Sequence, residues 1–277
     1  MIIFDMMTGA ATQQQPGRIL YSCYQAKSRV GEHFVPDHVL GYIESGTYEV
    51  FIDGKNHVFQ AGDIRFFRRN QLARFTKIPP ENDTFKSISI FIDQATLRSI
   101  AAEYQLYMDK PYTGDNALHL KPVKLLQHYF DSLLPYLQEG GTFRDTLMHL
   151  KMREAVLILL QTNPDLKNVL FDFSEPGKID LEAYMNEHYK FNVDLNRYAY
   201  LTGRSLATFK RDFERIFHTS PSRWLQQKRL QDAHYLLREK GWRASDVYLE
   251  VGFKDLSHFS YAFKKTFGIP PSSLSSV

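Results

Sequence analysis

Apolar and polar positions change rhythm twice along the chain. Between residues 18 and 93 they form short runs rich in β-branched and aromatic residues: RILYSCYQAK, VLGYIES, TYEVFID, HVFQAG, DIRFFRR, LARFTKI and TFKSISIFID. Turn-forming groups part them, at Ser45-Gly46, Asp53-Gly54-Lys55-Asn56, Gly62-Asp63 and Pro79-Pro80-Glu81-Asn82. Many short strands at close spacing predict a sandwich or barrel. From 94 to 165 the period becomes helical. Leu97, Ile100, Ala101 and Tyr104 share one stripe; Val123, Leu126, Tyr129, Phe130, Leu133, Leu134 and Leu137 share another. A third, from Phe143 to Leu160, carries Leu147, Leu150, Ala155, Val156, Leu159 and Leu160. These stripes exceed what one sheet face needs, so a homodimer through the helices at 121–162 is expected.

Residues 163–178 (NPDLKNVLFDFSEPGK) hold Pro164, Pro176 and Gly177 and read as the end of one domain and a linker. From Ile179 onward the pattern is helical throughout. The fold class is therefore α+β: a tail at 1–17, a β-barrel domain at 18–165 with helices from about 94, a linker at 166–178 and an all-α domain at 179–277.

The helical third contains a near-repeat at an offset of fifty. FKRDFERIFHTSPSRW (209–224) aligns with FSYAFKKTFGIPPSSL (259–274), each giving F-x3-F-x3-F and then a proline. A short helix ending at Gly203 precedes the first copy, and one ending at Gly252 the second. Each unit reads as helix, glycine turn, helix. Gly203 and Gly252 suit a positive φ, and Ser205 and Asp255 are the N-cap candidates that follow. Phe209, Phe213 and Phe217 share one helical face, as do Phe259, Phe263 and Phe267. Burying one such ring stabilises by about 1.5–3 kcal/mol, so these are the inner faces. The outer faces then hold Leu206, Ala207, Lys210, Arg211 and Glu214 in the first unit, and Leu256, Ser257, Ser260, Tyr261 and Lys264 in the second. A helix starting at Pro221, with Ser220 as its cap, joins the units. Tandem helix–turn–helix motifs on a rigid rod can place two recognition helices in adjacent major grooves, about 34 Å apart.

Charge supports a polyanion partner. The net charge is +3, but residues 178–277 hold 16 Lys/Arg against 11 Asp/Glu, or +5, and the remainder carries −2. The single cysteine, Cys23, excludes a disulfide framework and reads as a small core residue in a reducing compartment. No apolar run approaches the ~20 residues of a membrane span. MIIFDMM is too short for a signal segment and is broken by Asp5. A soluble cytoplasmic protein without membrane partners is expected.

The C-terminal hundred residues resemble the DNA-binding domain of AraC-type transcriptional regulators. PSRWLQQKRLQDAHYLL resembles the family's linker helix through Pro221, Trp224, Leu225, Arg229, Leu230, Ala233, Leu236 and Leu237. VGFKDLSHFSYAFKKTFGIPP resembles its second motif through Gly252, Phe253, Asp255, Ser257, Phe259, Phe263, Lys264, Phe267, Gly268 and Pro271. The resemblance implies double-stranded DNA and RNA polymerase as partners. It implies base contacts at Ala207, Lys210 and Arg211, and at Leu256, Ser257, Ser260 and Tyr261. Departures are Tyr248 for a small alanine, Glu214 for lysine, His218 for glycine, Tyr261 for arginine and Leu274-Ser275 for the closing Tyr-Arg. They leave Lys210 and Arg211 as the main readers. The body resembles the family's cupin-like sensory domain. FFRR (66–69) and LEAYMNEHYKFNVDLNRYA resemble the ExsA-like branch, which implies a protein partner and self-association at that domain.

Metal cupins are often enzymes. Anchored on Gly46 and Gly62, their ligand positions fall at His33, Val35, Val39 and Ala73, three of them apolar, with His38 and Glu44 nearby. No metal site, cofactor or enzyme motif (GxSxG, Walker loop, HExxH, GxGxxG) is read. The interior, with Tyr21, Tyr24, Phe34, Tyr42, Phe51, Phe66 and Phe67, either fills itself or holds a small organic ligand. Two other classes stay open: a cupin enzyme, which bound metal in the purified protein would reveal, and an anti-regulator that has lost DNA binding.

Overall fold

A computed structural model describes residues 18–138 and 144–274. The expected tail at 1–17 lies outside these residues, as do Phe143 and Ser275. The chain divides into two compact units, one built mainly from residues up to Ser174 and one from Glu175 onward.

The portion of the chain before Glu175 has nine strands among the described residues. β1 (Arg18–Tyr24), β3 (His38–Ser45), β6 (Ile64–Phe67), β8 (Phe85–Ile92) and β9 (Ala117–Leu120) form a sheet in the order β1-β8-β3-β6-β9. β2 (Ser28–Val35), β4 (Thr47–Ile52), β5 (Lys55–Gln60) and β7 (Gln71–Ile78) form a second in the order β2-β7-β4-β5. The β4–β5 hairpin closes on Asp53 and Gly54, both at positive φ (52° and 70°). That conformation matches the natural twist of the flanking strands, and Asp-Gly supplies it.

Two strands depart from the expected pattern. SRVGEHFV lacks a clear alternation yet forms β2, beside β7. ALHL lies inside the stretch expected to be helical, yet pairs as β9 with β6, Ile64 opposite Leu120 and Phe67 opposite Ala117. Four residues are too few for a period to show, and the open edge of β6 decides their conformation.

Side chains alternate across the first sheet. Leu40, Ile64, Phe66, Ile88, Ile90 and Ile92 face one way and form a core with the helices. Those helices are α1 (Gln94–Tyr104), α2 (Lys124–Asp131), α3 (Leu134–Gln138) and α4 (Arg144–Thr162). Asp93 caps α1 by accepting from the Thr96 N–H at 2.8 Å. Leu97, Ile100, Leu126, Tyr129, Phe130, Ala155, Val156 and Leu159 are buried as their period predicts. Leu147 and Leu150 are not: α4 turns Met148 and Met152 inward instead and leaves these leucines 40% and 57% exposed. Cys23 is half-buried rather than a core residue.

The first part of the expected linker is packed. A 3₁₀ turn at Pro164–Leu166 and α5 (Lys167–Leu170) bury Leu166, Val169, Leu170 and Phe171 in the same core. Arg69, from the FFRR tract, donates to the carbonyls of Asp172 (3.0 Å) and Ser174 (2.7 Å). Pro164 begins the turn, where its missing N–H is harmless, and does not mark a break in the domain.

The second unit is helical: α6 (Leu181–His188), α7 (Leu195–Leu201), α8 (Leu206–Phe217), α9 (Pro221–Lys240), α10 (Ala244–Glu250) and α11 (Leu256–Phe267). Asp180 and Asp194 cap α6 and α7, accepting from the N–H groups of Ala183 and Arg197.

Candidate nucleic-acid interface

Both expected helix–turn–helix units are present. α7 ends into a turn in which Gly203 has φ +64°. The Ser205 hydroxyl then accepts from the Thr208 N–H at 3.2 Å and opens α8. α10 ends into a turn with Gly252 at φ +92°, and Asp255 accepts from the His258 N–H at 2.6 Å to open α11. Neither glycine admits a side chain. A Cβ on Gly203 would come within 2.4 Å of the Gly177 backbone, and one on Gly252 within 2.2 Å of the Lys190 carbonyl oxygen. His218, where the family resemblance places glycine, holds φ +53° and ends α8 by donating its N–H to the Glu214 carbonyl.

Phe209, Phe213, Phe259 and Phe263 are wholly buried. Phe217 and Phe267, the third ring of each triad, are half-buried and rest on the joining helix. Trp224 packs on Phe217 with centroids 4.6 Å apart and on Phe213 at 5.6 Å. Ten residues on, His234 packs on Phe267 at 4.7 Å and on Phe263 at 6.2 Å. Both triads thus stand on α9, whose 20 residues make a rod about 30 Å long. Pro221 occupies its first position, but Ser220 makes no side-chain capping bond, against the expectation from sequence. Tyr248, in place of a small residue, packs half-buried on the second triad's core.

Two arginines fasten the turns. Arg204 donates Nε to Asp212 (3.1 Å) and Nη1 to the carbonyls of Ile179 (3.0 Å) and Thr202 (2.6 Å). The bond from Arg204 holds the Asp212 carboxyl below its ordinary range, with help from Lys178 and Arg215. Arg229 does the equivalent from α9. The Arg204–Asp212 pair is not apparent in the sequence, since its eight-residue spacing spans a turn and follows no helical period.

With the inner faces fixed, the outer faces follow. Ala207, Lys210 and Arg211 are exposed on one stripe of α8, and Leu256, Ser257, Tyr261 and Lys264 are exposed on α11. Tyr261 is 68% open to solvent. Ser260 is half-buried. Lys210 and Arg211 make no ion pair or hydrogen bond with any described residue. Elsewhere, Val35, Val39 and Ala73 are buried apolar residues. No group of three His, Cys, Asp or Glu gathers among the described residues. No described helix is long and apolar enough to cross a membrane.

Comparison with known proteins follows this division. Residues 198–276 match a helix-turn-helix domain, and residues 38–169 match the ExsA N-terminal regulatory domain. The HTH-type transcriptional regulator ExsA of Pseudomonas aeruginosa is 30% identical over 122 residues, 43% of this chain and 44% of that protein. The virulence regulon transcriptional activator VirF of Yersinia enterocolitica is 28% identical over 136 residues, 48% of this chain and 50% of that protein. The chain thus spans about half the length of these curated relatives. A crystal structure of apo ToxT from Vibrio cholerae aligns with a TM-score of 0.47 at 11% identity, covering 94% of this chain and 97% of that one. Fold and outer faces define a two-unit chain with a β-rich regulatory portion and a tandem helix–turn–helix portion. Its earlier portion matches the ExsA N-terminal regulatory domain and its later portion a helix-turn-helix domain, so each portion is similar to the corresponding part of HTH-type transcriptional regulators such as ExsA.

Proposed function

We propose that this chain is a sequence-specific, double-stranded-DNA-binding transcriptional activator working in the cytoplasm. The observation that carries the reading is the pair Lys210 and Arg211. They are exposed and unpaired among the described residues, on a capped helix whose opposite face is locked by buried phenylalanines. In a major groove such a helix offers its guanidinium and ammonium groups to guanine acceptors. Ala207 lies one turn nearer the helix start, where a small side chain permits close approach. On α11 the outer face offers Leu256, Ser257 and Tyr261, which suit apolar and hydroxyl contacts. Lys264, with the half-buried Ser260, supports backbone contact rather than guanine readout. α8 is therefore the main reader.

The DNA-binding domain spans 179–277, and the portion before it, of cupin-like build, receives an effector or protein partner and pairs two chains. Leu147, Leu150 and Leu157 favour that pairing: all three are exposed on α4 at spacings of three and seven, the seam of a helix pair. RNA polymerase is the partner an activator requires.

Selection of bound sites from a random duplex pool tests the reading. Enrichment of a common motif, with affinity falling steeply as salt rises, is expected. Failure of the full chain to retain any duplex at low salt would overturn it in favour of a non-DNA interaction module.

A further inference from the structure

The second half of the expected linker is not slack. Residues 175–180 lie against the turn of the first helix–turn–helix unit and are tied to it at several points. The Tyr200 hydroxyl donates to Glu175 Oε2 at 2.6 Å. Gly203 sits so close that a Cβ there would overlap the Gly177 carbonyl and fall 2.5 Å from the Lys178 nitrogen. The Lys178 ammonium is 3.7 Å from the Asp212 carboxylate. Arg204 Nη1 donates to the Ile179 carbonyl at 3.0 Å. Yet Glu175, Gly177, Lys178, Ile179 and Asp180 are exposed. Directional bonds hold this segment, and burial does not.

The Lys178 and Arg204 ties converge on α8. Asp212 is buried on its inner face with Phe209 and Phe213, beside Arg211 and one turn from the N-terminal part of the helix. Apolar contacts between rings are non-directional, so a helix seated on phenylalanines alone can roll a little at small cost. The ion pair removes that freedom. Arg204 and Asp212 are 7% and 8% exposed, and the planar guanidinium fixes the direction of each bond it makes. Nε holds Asp212 while Nη1 holds Ile179, so one rigid group joins the segment to the helix.

Base edges are told apart by hydrogen bonds of fixed geometry. A roll of α8 that carries Lys210 and Arg211 off those edges leaves their charge near the phosphates and costs selectivity first. A segment serving only as a tether would need none of these ties. We propose that residues 175–180 are a strap that positions α8 for base reading, with Arg204 and Asp212 as the positioning residues through which it acts. The selectivity of α8 then depends on the strap being seated. This rests on the reading of α8 as the DNA-contacting helix, and it names the residues that aim it.

The test uses the full chain, an operator selected from a random pool and a scrambled duplex, titrated at one salt concentration. The readout is the ratio of the two affinities, which a loss of folded protein does not move because both duplexes lose equally. Gly203→Ala and Gly241→Ala strain the backbone alike, at φ +64° and +63°, but nothing lies within 4 Å of a Cβ on Gly241, whereas one on Gly203 displaces the strap. Gly203→Ala is expected to lower the ratio about tenfold, the effect of losing one good base contact. Gly241→Ala should leave it unchanged. Arg204→Lys, whose ammonium cannot hold both partners with one planar fork, should lower it too. Lys178→Gln combined with Tyr200→Phe cuts the strap's side-chain ties and spares the glycine turn and Arg204. It should lower the ratio in the same direction, and it decides where Gly203→Ala fails to fold. Unchanged selectivity in that double variant, or equal losses in the two alanine variants, would overturn the strap alone. A wild type that binds both duplexes equally would overturn the reading role of α8, and the strap with it.

Discussion

Arg229 donates Nη1 to the carbonyl of Gly252 at 3.0 Å, joining the long α9 helix to the turn of the second helix–turn–helix unit. Its Nε and Nη2 go to the carbonyls of Tyr189 and Phe191 at 2.7 and 2.8 Å. One side chain thus holds the loop after α6 and the turn before α11 in register. Arg229→Ala removes all three bonds and leaves three carbonyls to find other donors. A loss of about 1.5–3 kcal/mol is expected, read as a lower urea midpoint. Arg229→Lys should recover little, since an ammonium cannot reproduce the planar fork.

The glycines separate strain from contact. Gly241 ends α9 at φ +63° with nothing within 4 Å of a built Cβ, whereas Gly252 has a carbonyl oxygen in the way. Gly241→Ala should cost about 1–2 kcal/mol, from its left-handed backbone alone. Gly252→Ala should cost more and weaken DNA binding as well, because the turn must open. Chemical denaturation of the two variants side by side checks this. Equal losses would show that the Lys190 contact is relieved freely.

Lys210→Ala and Arg211→Ala should each weaken binding to a selected operator by about 1–3 kcal/mol and relax its sequence preference. Neither residue bonds to another described residue, so thermal midpoints should stay unchanged. Titration against operator and scrambled duplex at fixed salt provides the measurement.

A pH response follows from neighbouring residues in the first unit. Burial, then Arg69 and Arg68, lowers the His38 pKa to about 3, while burial and Asp93 raise Asp37 to about 6. His38 is neutral in the fold but takes up a proton when unfolded below its ordinary 6.5. Its contribution to stability is therefore present above pH 6.5 and is lost as pH falls toward 3. Asp37 acts oppositely: it stays protonated in the fold up to about 6, so its contribution is present below 3.8 and is lost as pH rises to 6. The stability difference between wild type and His38→Gln should therefore shrink as pH falls from 6.5 to 4, measured by urea unfolding. Glutamine keeps an acceptor for the Arg69 N–H, which now donates to His38 Nδ1 at 3.2 Å.

Leu150→Glu tests the pairing of chains. A carboxylate in the middle of the exposed α4 stripe should turn dimers into monomers at tens of micromolar by light scattering, with the fold intact, because Leu150 is 57% exposed. A wild type that is already monomeric at that concentration would remove the proposed seam.

Much of the second unit was legible because its signals are local. Glycine turns, cap residues and a phenylalanine every fourth position each act within one or two helical turns. Ser205 and Asp255 cap as their positions suggest, and Phe209, Phe213, Phe259 and Phe263 are buried as their spacing demands. The exceptions have a tertiary cause. Ser220 is followed by Pro221, which starts the helix without it. Phe217 and Phe267 keep an edge in solvent because α9 covers them from one side only. In the first unit, β2 and β9 carry no periodic signal and owe their conformation to strands distant in sequence. Leu166 and Val169 look like linker residues until α4 and the first sheet offer them a core. The burial of Arg65 was invisible for a related reason. Arg65 lies in the strand candidate DIRFFRR, and only the pairing of β6 with β3, which sets it opposite Gly41, shows that it points inward.

Trp224 and His234 lie on one uninterrupted helix, so the spacing between the two helix–turn–helix units is set by the polypeptide itself. Each inserted base pair turns a duplex by roughly a tenth of a revolution. An operator with one extra pair between intact half-sites would therefore present the second half-site out of phase. If both units read DNA as proposed, such an operator should bind more weakly, and α9 is in that sense a molecular ruler.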